Sequence, residues 1–234
     1  MSIPHEFREW ETNAGGPPAV PGQMDTLKLV LTIISGICWT VVYLEAIKLG
    51  LRDRTYAIPF FAIALNIAWE LLHTILGVRA GFDLQTGINA AWFIFDVGIL
   101  YTYFKFGRKY FSRVLPAHWF IGWSVLGLVT ALLVEIAFVR EFGVFAGGAY
   151  AAFLQNLLMS VLFIDMLVKR GSREGQSLTL AINKWVGTLA PTISFGVLGS
   201  KTLHAPSFLL LVAGGFCCVF DLIYIRLLAG KEYR

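Results

Sequence analysis

The hydrophobic positions of this sequence form long apolar runs that are separated by short polar segments. A helix needs about 20 mostly apolar residues to cross the roughly 30 Å hydrocarbon layer of a bilayer, and each run approaches that length. The pattern predicts an all-α, polytopic membrane protein that folds as a bundle of seven transmembrane helices. The predicted spans lie near residues 27–47, 56–77, 87–106, 116–138, 145–168, 178–199 and 205–228.

The composition leads to the same fold class and limits where chemistry can take place. Hydrophobic residues make up 57% of the chain and charged residues 15%, whereas soluble domains carry about 25% charged residues. We expect an extramembrane N-terminal arm at 1–25, a seven-helix transmembrane domain at 26–229 and a cytoplasmic tail at 230–234. The acidic, proline-containing arm does not resemble a signal peptide. Because no loop is long enough for a catalytic domain, any chemistry belongs inside the bundle.

The distribution of basic residues predicts the topology. Most of the 19 lysines and arginines lie in alternate connectors and near the C-terminus, and Lys184, near the start of the sixth span, is expected on that same side. The positive-inside rule then places the C-terminus in the cytoplasm and the N-terminus in the lumen or outside the cell. The membrane would be the endoplasmic reticulum in a fungus and the plasma membrane in a bacterium. Since the basic residues do not cluster on one face, no nucleic-acid partner is expected.

Three acids lie well inside predicted spans. Glu70, Asp96 and Asp221 are surrounded by apolar and aromatic residues, without a basic residue within four positions. Charged groups at mid-bilayer cost about 2.5–3.5 kcal/mol on insertion scales, so intramembrane acids indicate function. An unpaired carboxyl group in such surroundings favours its neutral form and is a potential proton donor. The competing interpretation is a buried hydrogen-bond cluster that holds helices together.

Helical spacing groups further polar residues with these acids. Asn66, Glu70 and His73 follow each other at i, i+4 and i+7 on the second span, and Trp92 precedes Asp96 by one turn on the third. We expect the polar face to line a cavity rather than contact lipid. Glu45, Asp165 and Glu135 are interpreted as structural acids near span ends, Asp165 paired with Lys169 and Glu135 beside Arg140. Pro191 is expected to kink or break the sixth span.

The remaining candidate ligands favour neither a metal nor a cofactor. The four histidines lie on separate elements, no histidine or carboxylate pair has metal-ligand spacing, and the three cysteines lie in apolar runs. Aromatic residues make up 15% of the chain, and their ring faces stabilise a desolvated cation by about 2 kcal/mol. A protonated carboxyl group beside aromatic rings suits acid-initiated cyclisation of a polyene.

Asn66-x-x-Trp69-Glu70 in the second span, with Asp221 in the last, resembles the membrane-bound terpene cyclases of meroterpenoid and indole-diterpene biosynthesis, the pyripyropene-type cyclases. This resemblance implies a metal-independent enzyme of secondary metabolism, of isomerase or lyase type. Its substrate would be a lipophilic prenylated compound, usually with a terminal epoxide, and its essential acids would be Glu70 and Asp221. Asn66, Trp69, His73, Trp92 and Asp96 are then candidates for binding the substrate or tuning the acids.

Several alternatives remain open at the level of sequence. Counted from the predicted lumenal ends, Glu70 and Asp221 differ in depth by about 12 Å, so Asp96 is the nearer partner of Glu70. Asp221 would relay the proton or act on another part of an elongated substrate.

A seven-span transporter that uses intramembrane acids for proton coupling is the main alternative, and a structural membrane subunit is a second. The substrate's chain length and head group, the choice of epoxide or alkene, and the oligomeric state are not predicted.

Overall fold

The structure is a computed structural model that describes residues 23–111, 115–200, 203 and 206–230. Every regular element in this part of the chain is helical, as the composition predicts. The expected N-terminal arm and C-terminal tail lie almost wholly outside the described residues. The seven longer helices are α1 Gln23–Arg52, α2 Phe60–Ala80, α3 Leu84–Phe106, α4 Phe120–Phe142, α5 Val144–Arg170, α6 Leu178–Pro191 and α7 Phe208–Ala229. Two short segments, an α-helix at Arg108–Phe111 and a 3₁₀ turn at Ala117–Trp119, lie between α3 and α4.

Five of these helices are long and apolar enough to cross a membrane, namely α1, α2, α4, α5 and α7. An all-helical membrane protein is therefore confirmed, but the predicted count of seven spans is not. α6 has only 14 residues before its geometry changes. α3 is long enough, but it carries Gln85, Thr86 and Asn89 in its first two turns and Asp96 at its centre.

Pro191 marks the change of geometry at the end of α6. The α-helix ends there and continues as a π-helical segment, Thr192–Val197. This change agrees with the predicted break, because proline has no N–H for the helical ladder. The segment packs against α7 at close range, since a Cβ at Gly196 would lie 2.8 Å from the Cα of Leu211.

The packing order of the helices does not follow the chain. α2 contacts α3, α4 and α5, whereas α1 packs against α3 and α6, and α7 packs against α5 and α6. α2 therefore has an inner position in the bundle. Its side chains can meet residues from several helices, which makes it the natural scaffold for a site.

The loops at one end of the bundle are joined by a network around Arg170, at the end of α5. Its guanidinium carbon lies 4.5 Å from the ring centroids of both Tyr56 and Tyr110, and its Nη2 donates to the carbonyl of Tyr56 at 2.9 Å. Lys109 forms a salt bridge of 2.7 Å with Glu174. These contacts bring together the start of α2, the end of α3, the end of α5 and the start of α6. We call this end of the molecule the basic end.

Gly175 closes this network and offers a test of it. Its φ is +70°, its N–H donates to Asp53 Oδ2 at 3.0 Å, and an added Cβ would lie 2.5 Å from Thr55 Cγ2. The hydrogen bond from Arg52 to Asp53 holds the pKa of that carboxyl below its usual value, so this acceptor is charged at neutral pH.

We expect Gly175→Ala to destabilise the protein more than Gly171→Ala does. Both glycines have positive φ, which costs an alanine about 1–2 kcal/mol, but a Cβ at Gly171 would meet nothing within 4 Å. Thermal unfolding of the two purified variants in detergent compares them directly. Equal losses would show that Thr55 gives way without cost.

Candidate active site

Two of the predicted acids meet in one buried cluster formed by α1, α2 and α3. Asn66 Nδ2 donates to Asp96 Oδ2 at 2.9 Å and to the Tyr43 hydroxyl at 2.6 Å. The Tyr43 hydroxyl donates to Glu70 Oε1 at 3.4 Å. We call Tyr43, Asn66, Glu70 and Asp96 the acid cluster. Its two carboxyl groups come from different helices. The Glu70 carboxyl accepts from the phenol of Tyr43, and the Asp96 carboxyl accepts from the amide of Asn66.

The acids of this cluster have no cationic partner. Glu70 is 3% exposed and Asp96 is fully buried, and neither takes part in a salt bridge within the described part of the chain. Glu70 Oε2 and Asp96 Oδ1 are both buried without a hydrogen-bond partner. Burial of an ionised carboxylate without compensation is very costly, so the surroundings favour neutral carboxylic acids. The expectation that Glu70 and Asp96 have no basic partner is met, while the position of Asp96 within a membrane span stays a prediction.

Aromatic rings surround Tyr43 within the cluster. The Tyr43 ring centroid lies 6.3 Å from that of Trp39, 5.7 Å from that of Trp92 and 6.2 Å from that of Phe95. Trp92 also donates its indole N–H to Thr40 Oγ1 at 3.2 Å, which fixes the ring beside the acids. Trp92 therefore lies against Tyr43 of the acid cluster, and the ring faces around Tyr43 are of the kind that can stabilise positive charge.

Trp69 and His73 point away from the acid cluster, towards α5. The Trp69 indole N–H donates to the carbonyl of Gly148 at 2.9 Å. The ring centroids of Trp69 and His73 lie 4.2 Å apart. A Cβ at Gly148 would come within 2.5 Å of His73, so the imidazole lies against the α5 backbone. Asn66, Glu70 and His73 lie within about 60° of one another around the helix, but only Asn66 and Glu70 hydrogen-bond within the acid cluster, whereas His73 lies against Gly148 of α5.

Asp221 has a different environment from the one the sequence predicts. Lys184 Nζ donates to both of its carboxylate oxygens, at 2.8 and 2.9 Å, and to Ser160 Oγ at 2.6 Å. Lys184 is fully buried and Asp221 is 1% exposed. The expectation of an unpaired acid is wrong for Asp221, and Lys184 is a bundle-interior residue rather than part of the basic loop side. The sequence shows the neighbours of Asp221 only within its own helix, whereas this partner comes from α6.

The helix bounds also correct the predicted depths. Ten residues separate Glu70 from the start of α2, and eight separate Asp221 from the end of α7. The start of α2 lies at the basic end, and so does the end of α7, because Arg173 donates to the carbonyl of Gly230. At 1.5 Å per residue the two acids lie about 15 and 12 Å from that end. The difference is about 3 Å rather than 12 Å, because α2 begins and ends later than predicted.

Residues 12–229 match the family model of the Pyr4-like transmembrane terpene cyclases. The chain belongs to this family. It is 29% identical to the Pyr4-family terpene cyclase mfmH of Annulohypoxylon moriforme over 167 residues, which cover 70% of this chain and 68% of mfmH. It is 28% identical to the terpene cyclase atmB of Aspergillus flavus over 183 residues, 76% of this chain and 73% of atmB. It is 27% identical to the terpene cyclase penB of Penicillium crustosum over 169 residues, 70% of this chain and 67% of penB. No solved structure matches.

These relationships confirm the resemblance seen in the sequence and support a terpene cyclase role in a membrane. They do not favour the transporter alternative. Membership of the Pyr4-like family also implies a lipophilic terpenoid substrate, which agrees with a buried site among apolar helices. No group of three or more histidine, cysteine, aspartate or glutamate side chains in the described ranges is arranged to hold a metal ion.

The other intramembrane acids of this Pyr4-like cyclase divide into two kinds. Asp165 pairs with Lys169 at 2.8 Å, as predicted, and Glu45 pairs with Lys48 at 3.2 Å near the end of α1. Glu135 differs, because it is 1% exposed and one of its oxygens has no hydrogen-bond partner. No salt bridge joins it to Arg140 among the described residues. Glu135 therefore lies beside Arg140 in the sequence but is not paired with it, and its interpretation as a structural acid stays a prediction.

Sequence reasoning missed two residues of these sites, Tyr43 and Lys184. Tyr43 is one of several aromatic residues in the first span and has no motif around it. Lys184 does carry a signal, since a lysine six residues into a predicted span requires an acidic partner. Pairing it with the acids of other spans would have pointed to Asp221.

Proposed function

We propose that the protein is an integral membrane terpene cyclase that protonates the terminal epoxide or alkene of a prenylated substrate. The resulting cation then cyclises along the folded prenyl chain beside aromatic rings. The observation that carries this proposal is the environment of Glu70: it is buried at mid-helix without a cation, and one carboxyl oxygen is free of protein partners. A neutral carboxylic acid in this position has a proton to give and a free oxygen from which to give it.

Glu70 is the proton donor in this mechanism, and its neighbours are positioning residues. The Tyr43 hydroxyl donates to Glu70 Oε1, so it stabilises the carboxylate that remains after proton transfer. Asn66 donates to both Tyr43 and Asp96 and orients the pair. Trp92 and Asp96 complete the surroundings on α3, while Trp69 and His73 hold α2 against α5 and shape the wall beside the acid.

The proposed reaction is an isomerisation that needs no metal or other cofactor. The proton of Glu70 adds to the epoxide oxygen, and the carbon–oxygen bond breaks as the first alkene attacks the carbon. Each ring closure moves the positive charge to the next alkene, and aromatic rings lower its energy. Loss of a proton from carbon forms the final alkene, and return of that proton to the Glu70 carboxylate restores the acid. With an alkene in place of the epoxide, the same proton adds to carbon.

Asp221 acts on another part of the elongated substrate in this proposal. Because Lys184 donates to both oxygens of the Asp221 carboxylate and also to Ser160 Oγ, Asp221 is held in an ion pair and is not the proton donor of this proposal. An ion pair with further hydrogen bonds is suited to a polar head group rather than to a carbocation. The substrate would thus extend between a proton-donating site on α2 and a polar site on α6 and α7, at similar depth in the membrane.

We also propose the membrane topology that the sequence predicts. α3 and α6 would complete seven spans, because their polar residues meet partners from other helices instead of lipid. The basic end would face the cytoplasm under the positive-inside rule, with the tail at 230–234 on that side and the arm at 1–25 in the lumen or outside the cell. The membrane would be the endoplasmic reticulum in a fungal host and the plasma membrane in a bacterial one.

Incubation of membranes with prenylated phenols tests the function. Geranyl, farnesyl and geranylgeranyl phenols, each with and without a terminal epoxide, are supplied to membranes that contain the protein. We expect at least one to give a cyclic product with the same mass as its precursor. A substrate without an epoxide loses one alkene for each carbocycle formed, and an epoxide substrate loses one alkene fewer than the number of carbocycles, because the epoxide ring is opened as well. Membranes without the protein are the control. Uptake of the compounds into proteoliposomes without chemical change would contradict a cyclase and favour a carrier.

A further inference from the structure

The proposed mechanism does not use a cleft that lies on a face of α2 next to the acid cluster. Two adjoining volumes of about 160 and 290 Å³ lie between α2, α4 and α5, and both are lined by Leu65, Val134 and Leu158. The lining extends along α5 from Ala151 to Leu162, eleven residues or about 16 Å. Val134 and Leu158 are 38% and 39% exposed, so the cleft opens on the outer surface that faces lipid.

Two buried polar side chains line the end of this cleft that lies away from the basic end. Glu135 and Gln155 are 1% and 6% exposed, and both line the smaller volume. Glu135 Oε2 and Gln155 Oε1 have no hydrogen-bond partner. Two acceptors left unsatisfied in an apolar environment are costly, because buried oxygens of this kind normally receive a hydrogen bond. Each of these two oxygens could accept a hydrogen bond from a ligand that enters the cleft.

The chemistry of the cleft defines one class of occupant. A long apolar channel suits a hydrocarbon chain, and a pair of acceptors at one end suits a hydroxyl group rather than an anionic head group. The opening towards lipid gives access to compounds that are dissolved in the bilayer. Leu65 in this cleft is adjacent in sequence to Asn66 of the acid cluster, so the cleft and the cluster lie on neighbouring faces of the same helix turn.

We infer that this cleft is an entry site, which receives the hydroxyl-bearing prenylated substrate from the bilayer before the substrate moves to the acid cluster and to the polar site at Asp221. The prenyl chain lies along Val134 and Leu158, and the hydroxyl donates its one proton to the Glu135 carboxyl group, beside Gln155. This inference rests on the proposed function, because it assumes a prenylated hydroxy compound as the substrate. Glu135 and Gln155 are then residues that select the substrate, distinct from the proton donor Glu70.

A pair of tryptophan substitutions tests the channel. Leu158→Trp fills the cleft, whereas Leu133→Trp makes the same change on α4 at a lipid-facing position that is 60% exposed and does not line it. With the most active prenyl phenol, we expect Leu158→Trp to raise KM at least about tenfold with kcat little changed, the signature of lost ground-state binding. Leu133→Trp should stay within about twofold of the parent protein. Equal KM values for the two variants would overturn the inference.

A substitution of Glu135 tests the recognition of the hydroxyl. Glu135→Leu removes the acceptor and leaves an apolar side chain, a change that a buried site tolerates better than a lone polar group. We expect the parent protein to prefer the phenol over its methyl ether and Glu135→Leu to lose most of that preference. An unchanged preference would overturn the assigned role of Glu135.

Photolabelling keeps this test separate from catalysis and from any loss of folded protein. A farnesyl phenol that carries a diazirine on its chain is irradiated with the wild-type protein and with Glu70→Gln. We expect label on α4 and α5 peptides in both proteins, reduced by excess farnesyl phenol but not by phospholipid. Absence of label from α4 and α5, or competition by phospholipid alone, would refute the cleft as the entry site. If Glu70→Gln kept full turnover while α4 and α5 were labelled, the proposed acid would fail and the cleft would stand.

Discussion

Glu70→Gln is expected to lower cyclisation by about 10²–10⁴-fold, the usual contribution of a general acid. Glutamine keeps the shape of the side chain and still accepts the hydrogen bond that Tyr43 gives to Glu70 Oε1. It has no acidic proton, so the first step loses its donor while the packing is preserved. The measurement is the initial rate of product formation in membranes with matched amounts of folded protein.

An acid outside the cluster provides the matched control for this experiment. Asp165 lies in α5 with a side chain that is 43% exposed and bridged to Lys169. Asp165→Asn makes the same chemical change, from carboxyl to amide, and we expect a rate within about twofold of the parent protein. A Glu70→Gln variant that turns over at the rate of Asp165→Asn would rule out Glu70 as the proton donor.

Lys184→Met is expected to cause the largest loss of stability among single changes in the described structure. The substitution leaves the Asp221 carboxylate buried without its cation, and breaking a buried ion pair from one side costs about 3–5 kcal/mol. The effect should appear as a strongly lowered melting temperature in detergent and a low yield of folded protein. Thermal unfolding monitored by circular dichroism measures it.

The double variant Lys184→Met with Asp221→Leu distinguishes structure from function at this pair. Removal of both charges is often neutral or stabilising in a buried site, so we expect the double variant to melt close to the parent protein. If Asp221 acts on the substrate, the double variant will cyclise the substrate more slowly than the parent protein does, although its stability is restored. Normal turnover by the double variant would show that the ion pair has only a structural role. A single variant as stable as the parent protein would contradict the stability prediction itself.

The sequence was sufficient to predict the helical membrane fold and part of the acid cluster. Both predictions need only residues that are close together in the sequence. The length of an apolar run predicts a membrane span, and the spacing of Asn66 and Glu70 predicts that they share a helix face. Asp96 joined them because an acid without nearby cations stands out in an apolar segment. In these cases the identity and spacing of residues within one helix carry the physical signal.

The features that sequence reasoning got wrong depend on contacts between helices. The partner of Asp221 lies 37 residues away in the chain, and Tyr43 reaches Glu70 from a helix that packs mainly against others. The depths of the acids depended on helix ends, and an error of a few residues at each end produced the false separation of Glu70 and Asp221. The count of seven spans stays a prediction, because α3 and α6 are not among the five helices that are long and apolar enough to cross a membrane.

The ion pair between Lys184 and Asp221 also has a consequence for biogenesis. α6 carries the lysine but is not among the helices that are apolar enough to cross a membrane by themselves, and its acidic partner is synthesised later, in α7. A lone lysine is unfavourable in the lateral exit of a translocon. We therefore expect α6 to leave the translocon together with α7 as one helical hairpin, so that the nascent chain completes its integration only when the last helix emerges.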